Sequence, residues 1–340
     1  MDTPVITTID IDSPGRHFGL LRVPRSTNEG GWSSLDVPVA SFINGTGPTA
    51  LVMGGNHGDE PEGMIACYDL IHRIHLGDVR GRLIVIPCLS PDAARGNSRL
   101  WPSGANFNRS FPGSATGDTN EQLADYLSRY LIPIADTVVD MHAGGRSGVC
   151  LPWSEMHPVD DPDQRKRMVE AMLAWNSDWH FIYIDIAGSG LLAGEAERQG
   201  KTHVSTELRG GGTILRDSLD IARDGLMNVL RQQGVLRGEV ATRASLGKPP
   251  PTILRAIDRA DYLQAPESGY FEPLVALGER VNEGQRVGLI HFLERPDRTP
   301  EPIIAQTSGL ACSHRAIFRT EQGDCVVVVG QPVTLEEALS

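Results

Sequence analysis

The chain has 340 residues, 40% of them hydrophobic and 22% charged, and its 31 basic and 43 acidic side chains leave a formal charge of −12. That length suggests two domains, or one large domain with an appendage, and buries roughly three quarters of the unfolded surface without staples. The acidic balance, with Lys166, Lys201 and Lys248 as the only lysines, disfavours nucleic acid and anionic membrane surfaces, and no apolar run is long enough to span a bilayer.

Residues 1–40 are expected to be β-rich, with apolar runs at 5–11 and 18–24 flanking the turn signal Ser13-Pro14-Gly15. From Thr49 onward short apolar runs alternate with longer amphipathic stretches. Strands are predicted at 49–55, 82–89, 137–142, 180–186 and 203–208. Helices are predicted over Pro61–His75, Asn120–Ile132, Asp163–Trp175, Gly190–Gln199 and Arg216–Gln233. Pro61 suits a first helical turn, where its missing N–H costs nothing. Strands alternating with helices of this length indicate an α/β fold, a mostly parallel sheet flanked by helices. The catalytic domain is expected to span 1–245.

The run Gly247-Lys248-Pro249-Pro250-Pro251 reads as a linker, and 252–340 as a small C-terminal β-rich domain of short strands broken by glycines and prolines. Ser268-Gly269 and the segment 278–288 resemble the hammerhead of biotinyl and lipoyl carrier domains. A carrier needs a lysine to acylate and none follows Lys248, so that function is excluded. The opening residues have neither a basic region nor an apolar core, and Cys67, Cys88, Cys150, Cys312 and Cys325 form an odd set without a Cys-x-x-Cys spacing. Both features point to a cytoplasmic protein with reduced thiols.

Four segments place polar side chains where strands end, the edge at which open α/β sheets bind ligands. In Gly54–Gly63 a strand enters a glycine-rich turn carrying His57 and Glu60. His-x-x-Glu with a distant third ligand is the pattern of a catalytic zinc that keeps a position open for water. His142, which ends the strand 137–142, is the expected third ligand. Asp140, two residues earlier and on the same side of the strand, can hold a ligand's second ring nitrogen. The loop from Arg99 to Gly113 carries Arg99, Asn106, Asn108 and Arg109, and arginine forks suit carboxylates and polarised carbonyls. The last strand delivers Glu207 against Gly210-Gly211-Gly212, where a glutamate near an activated water can move its proton.

Gly-Asn-His-Gly-Asp-Glu, Asn-Phe-Asn-Arg-Ser-Phe-Pro-Gly, Asp-Met-His and Thr-Glu-Leu together resemble the succinylglutamate desuccinylase/aspartoacylase family, related to the zinc carboxypeptidases. The resemblance runs from about Thr49 to Gln233, and the β-rich tail suits it. It implies one zinc per chain held by His57, Glu60 and His142, with Glu207 as general base. It also implies Arg99 as the oxyanion arginine and Asn108 and Arg109 as the grip on a substrate carboxylate or acyl end. Within the family the chain looks most like the deacetylases of N-acetyl-L-2,4-diaminobutyrate in ectoine breakdown. The implied substrate is a small N-acylated amino acid and the implied assembly a homodimer. Succinylglutamate desuccinylase, aspartoacylase and carboxypeptidase activities use the same machinery, and a non-catalytic metal-binding protein is the alternative of a different class. The remaining histidines, His72 and His75 among them, are read as surface or core residues.

Overall fold

The computed structural model describes residues 2–340. In chain order, β1 (Ile6–Thr7), β2 (Gly15–Arg25), β3 (Ser33–Asn44) and β4 (Thr49–Gly54) lead into α1 (Pro61–Arg73) and β5 (Gly81–Ile86). Then come α2 (Pro91–Arg95), α3 (Thr119–Tyr126), β6 (Thr137–His142), β7 (Gly148–Cys150), β8 (Trp153–Met156) and α4 (Pro162–Ala174). β9 (Trp179–Tyr183), α5 (Leu192–Arg198), β10 (Thr202–Glu207) and α6 (Arg216–Gln232) complete the α/β part. The tail holds β11 (Thr252–Ala256), β12 (Tyr262–Gln264), β13 (Gly269–Pro273), β14 (Arg280–Val281), β15 (Arg286–His291) and β16 (Glu301–Ile304). It ends with β17 (Gly309–Arg315), β18 (Arg319–Thr320), β19 (Cys325–Val333) and α7 (Leu335–Leu339).

The expected α/β architecture is present, and its parallel centre is β5-β4-β6-β10. β4 and β6 are buried along almost their whole length, as strands covered on both faces must be. One face packs Ala66 and Leu70 of α1, Met168 and Met172 of α4, and Leu226 and Leu230 of α6 over Val52, Val139 and Val204. The other packs Leu123 of α3 and Leu192 and Ala196 of α5 over Leu51, Met53 and Val138. Antiparallel strands extend the sheet at both ends: the long β2–β3 hairpin joins through β5, and β8 joins through β10. The predicted helix 120–132 divides into α3 and a wider turn over Leu127–Leu131, in which the Ile132 N–H reaches back to the Leu127 carbonyl.

The large sheet continues across the 247–251 segment. β11 lies parallel to β9, and β19 returns antiparallel to β11. A separate four-stranded antiparallel sheet, β16-β15-β13-β18, lies in the tail, around a core that includes Leu263, Val281, Val287, Ile290 and Val327. β17 also pairs with β7, which carries the tail to the end of the sheet where the polar segments converge.

One close approach sets the geometry of that end. A Cβ on Gly63 of α1 would lie 2.6 Å from the Met141 carbonyl oxygen of β6. Gly63→Ala should therefore push the start of α1, which follows Glu60, away from the strand that ends in His142. Overpacking of this kind costs about 1–3 kcal/mol. We expect a lowered urea midpoint together with weaker metal retention; a variant unchanged in both contradicts the tight packing described.

Candidate metal centre

The turn after β4 presents His57, and Glu60 stands at the N-cap of α1 without using its side chain as a cap. Pro61 at the first helical position leaves one fewer N–H to satisfy there, so the Glu60 carboxylate is free to turn inward. Its Oε1 lies 2.7 Å from His57 Nδ1 and its Oε2 2.8 Å from His142 Nδ1. All three residues are buried, and one ligand atom from each falls within 4.8 Å of the others.

The far nitrogen of each ring is also held. His57 Nε2 meets Asn106 Oδ1 at 3.2 Å, and Arg99 Nη1 approaches His57 Nδ1 at 3.3 Å. Asn106 Oδ1 can accept from Nε2, and a cation held between Nδ1 and Glu60 Oε1 would take the place of a proton there. His142 Nε2 lies 2.9 Å from Asp140 Oδ2, which also accepts from Asn56 Nδ2 at 2.9 Å. Both imidazoles thus turn Nδ1 toward Glu60, with an oxygen acceptor behind each. A metal-binding histidine is ordinarily held in this way.

The electrostatics match a cation site. Burial alone would raise the Glu60 carboxyl, but His57 and His142 hold it well below the ordinary carboxylate range. Burial opposes a charge on His142, yet Asp140 and Glu60 on either side raise it well above the usual imidazole value. Burial lowers His57, with Glu60 opposing. Two buried carboxylates, Glu60 and Asp140, against two imidazoles make this a place where a positive ion is favoured. Two imidazole nitrogens and one carboxylate form the donor set of a three-ligand catalytic zinc, so the residues present fit that metal.

Glu207 ends β10 directly opposite His142 in the parallel register. The residue is half-buried, and its Oε2 is buried without a hydrogen-bond partner among the described residues. Burial, reinforced by the charges of Glu60 and Glu155, raises its carboxyl well above the ordinary range. Such a group binds and releases a proton more readily near neutrality than a solvated carboxylate does. Arg99 Nη1 donates to Glu60 Oε1 at 3.0 Å, which places its guanidinium beside the ligand cluster.

The loop from Arg99 to Gly113 is held by its aromatics: Trp101 stacks on Phe107 at 5.5 Å, and Phe111 meets Phe107 edge-on at 5.3 Å. Asn108 is anchored through Oδ1 to the backbone N–H of Leu192, at the start of α5, while its Nδ2 lies 3.5 Å from His142 Nε2. Arg109 donates to the Asn108 carbonyl at 2.7 Å and pairs with Asp185 at 2.8 Å. All the residues expected from the sequence therefore gather at one end of the sheet. Asn108, Arg109, Arg99, Asp140, His57, His142 and Glu207 line a cavity of about 200 Å³.

Sequence reading did not single out Glu155, Tyr183, Asp185 or Tyr262, which line the same cavity. The one signal for Glu155 is an acid set between Trp153 and Met156 in a short apolar stretch. Asp185 lies just past the apolar run of β9. His72 and His75 are exposed on and beyond α1, as expected. Among the described residues no helix is long and apolar enough to cross a membrane.

Comparison with known proteins places these features in a family context. The succinylglutamate desuccinylase/aspartoacylase catalytic domain matches residues 46–233. The N-alpha-acetyl-L-2,4-diaminobutyric acid deacetylase of Halomonas elongata is 35% identical over 332 residues, covering 97% of this chain and 96% of that protein. The product-bound ectoine utilization protein EutE of Ruegeria pomeroyi superposes with a TM-score of 0.92 at 35% identity, covering 97% of this chain and 99% of that one. A succinylglutamate desuccinylase/aspartoacylase from Rhodobacter sphaeroides gives 0.91 at 34% identity, with 98% and 100% covered.

Proposed function

Since the chain belongs to the succinylglutamate desuccinylase/aspartoacylase family, we propose that it is a zinc-dependent amidohydrolase that removes acetyl from N-acetyl-L-2,4-diaminobutyrate. The convergence of His57, Glu60 and His142 beside the carboxyl of Glu207 carries this reading, and the likeness to the Halomonas elongata deacetylase supports the substrate. When held by His57, Glu60 and His142, zinc would supply Lewis acidity, lowering the pKa of water toward ~7 and polarising the acyl carbonyl.

The chain's own groups do the rest. Asn106 and Asp140 keep the two rings turned toward Glu60. Glu207 takes a proton from the attacking water as the new carbon–oxygen bond forms. It returns that proton to the amine nitrogen as the carbon–nitrogen bond breaks, releasing acetate and the free amine. Arg99, beside Glu60, donates to the acyl oxygen as it gains negative charge. Arg109 receives the substrate carboxylate, and Asn108 borders the same space. Acetate release that stops on chelation and returns with added zinc is the expected behaviour. Release that continues in metal-free protein contradicts the reading.

Arg109→Ala tests the anchor. Removing one partner of a desolvated charge pair costs about 2–5 kcal/mol, and here the loss should fall mainly on KM. It should shrink for the substrate amide, which lacks the carboxylate charge. An equal defect with acid and amide would make Arg109 a structural residue, held by Asp185.

A further inference from the structure

None of the steps above uses Glu155. It stands on β8 and is 4% exposed. Trp153 Nε1 donates to its Oε2 at 2.7 Å, while Oε1 accepts no hydrogen bond among the described residues. Its carboxylate lines the cavity that holds Glu207 and Arg109. The histidine–carboxylate pairs nearby belong to Asp140 and Glu197, so Glu155 has no ion-pair partner among the described residues. Burial pushes its carboxyl up, outweighing the Trp153 hydrogen bond and the more distant imidazoles of His142, His157 and His203, the last two of which face Glu197.

The charges of the cavity leave this acid uncompensated. A dication held by His57, Glu60 and His142 would be met by Glu60 and Asp140. Arg109 is met by Asp185, and Arg99 donates to Glu60. Apart from Glu207, which the proposed reaction protonates, Glu155 is the carboxylate of this cavity without an ion-pair partner among the described residues, and a buried unpaired charge is costly. A ligand that brings a positive group to this wall removes the cost, whereas one that brings a second carboxylate adds to it.

Register supplies the spacing. Ser205 of β10 pairs with Glu155 of β8, and Glu207 pairs with Trp153. Glu155 and Glu207 are thus diagonal neighbours on one face of the sheet, about 7–8 Å apart along the backbone. The two nitrogens of 2,4-diaminobutyrate are separated by three carbon atoms. With the acylated nitrogen at Glu207, the free ammonium reaches toward Glu155. We propose that Glu155 receives the free ammonium of an N-acyl diamino acid, and so selects that substrate over N-acyl dicarboxylic acids. This inference rests on the deacylase reading above and names the group that determines its substrate class.

The test compares a cation with its neutral isostere in the zinc-supplemented full-length protein. N-acetyl-2,4-diaminobutyrate and N-acetylnorvaline differ by an ammonium in place of a methyl group. The wild type should favour the former in kcat/KM on the order of 10–100-fold, the range of a charge-assisted hydrogen bond. Glu155→Gln, which can still accept from Trp153, should reduce that ratio to within a few-fold of unity. A ratio unchanged in the variant overturns the proposal, because a structural role would lower both substrates together. Should the variant fail to fold, the wild-type ratio decides: equal use of the two substrates overturns the proposal. Failure of the deacylase reading is visible separately. If the wild type releases no acetate from either compound, calorimetric binding of free 2,4-diaminobutyrate against norvaline reads the same preference without turnover. Equal affinity there overturns the role of Glu155, and a preference that Glu155→Gln abolishes upholds it.

Discussion

Glu207→Gln is expected to lower kcat by about 10²–10⁴-fold, the usual contribution of a positioned general base, while KM and zinc content change little. The amide keeps the shape of the side chain but cannot hold the water proton. Two features make the effect large. Glu207 lies opposite His142 in the sheet register, and its environment raises its carboxyl well above the ordinary range. Asp140 and Asp185 border the same cavity but cannot replace it, because Asp140 is committed to His142 and Asp185 to Arg109. Stopped-flow or steady-state acetate release measures the loss, and metal analysis confirms that the site is intact. Near-normal kcat in this variant would remove Glu207 from the role of base.

His142→Ala should have the other large effect, through the metal itself. The variant leaves His57 and Glu60 as the only ligands, too few for a stable tetrahedral site. Loss of an outer partner of a ligand typically costs 10–100-fold in metal affinity, so loss of the ligand should cost more than about 100-fold. It also leaves Glu60 and Asp140 without the imidazole that now lies between them. Elemental analysis after dialysis should find the variant without zinc while its circular dichroism spectrum stays that of the wild type, since both faces of the central sheet retain their cores. Full zinc occupancy in His142→Ala would exclude His142 as a ligand.

The residues that sequence reading found share a simple local signature. His57, His142 and Glu207 each follow an apolar run and end or succeed a strand, and Glu60 precedes the proline that starts a helix. The central parallel strands were legible for the same reason, because burial on both faces demands nearly continuous apolar runs. Glu155 shows where such reading stops. β8 is four residues long, too short for an alternation pattern, and the carboxyl acquires its place only from pairing with Ser205 on a strand far along the chain. The hold of Asn106 on His57 and of Asp185 on Arg109 likewise joins loops that are distant in sequence. The antiparallel extensions of the sheet, and its passage through β11 beyond the proline run, depend on long-range pairing that local composition does not encode.

The central claim is that this site hydrolyses an acetylated diamino acid. It is tested most directly by parallel initial-rate measurements of acyl release from N-acetyl-L-2,4-diaminobutyrate, N-acetyl-L-aspartate and N-succinyl-L-glutamate, using one zinc-loaded preparation. The account predicts that kcat/KM is highest for the diaminobutyrate derivative, by on the order of 10-fold or more, the worth of one charge-assisted hydrogen bond between the substrate ammonium and Glu155. Faster release from either dicarboxylic substrate, or no acyl release from all three, would contradict it.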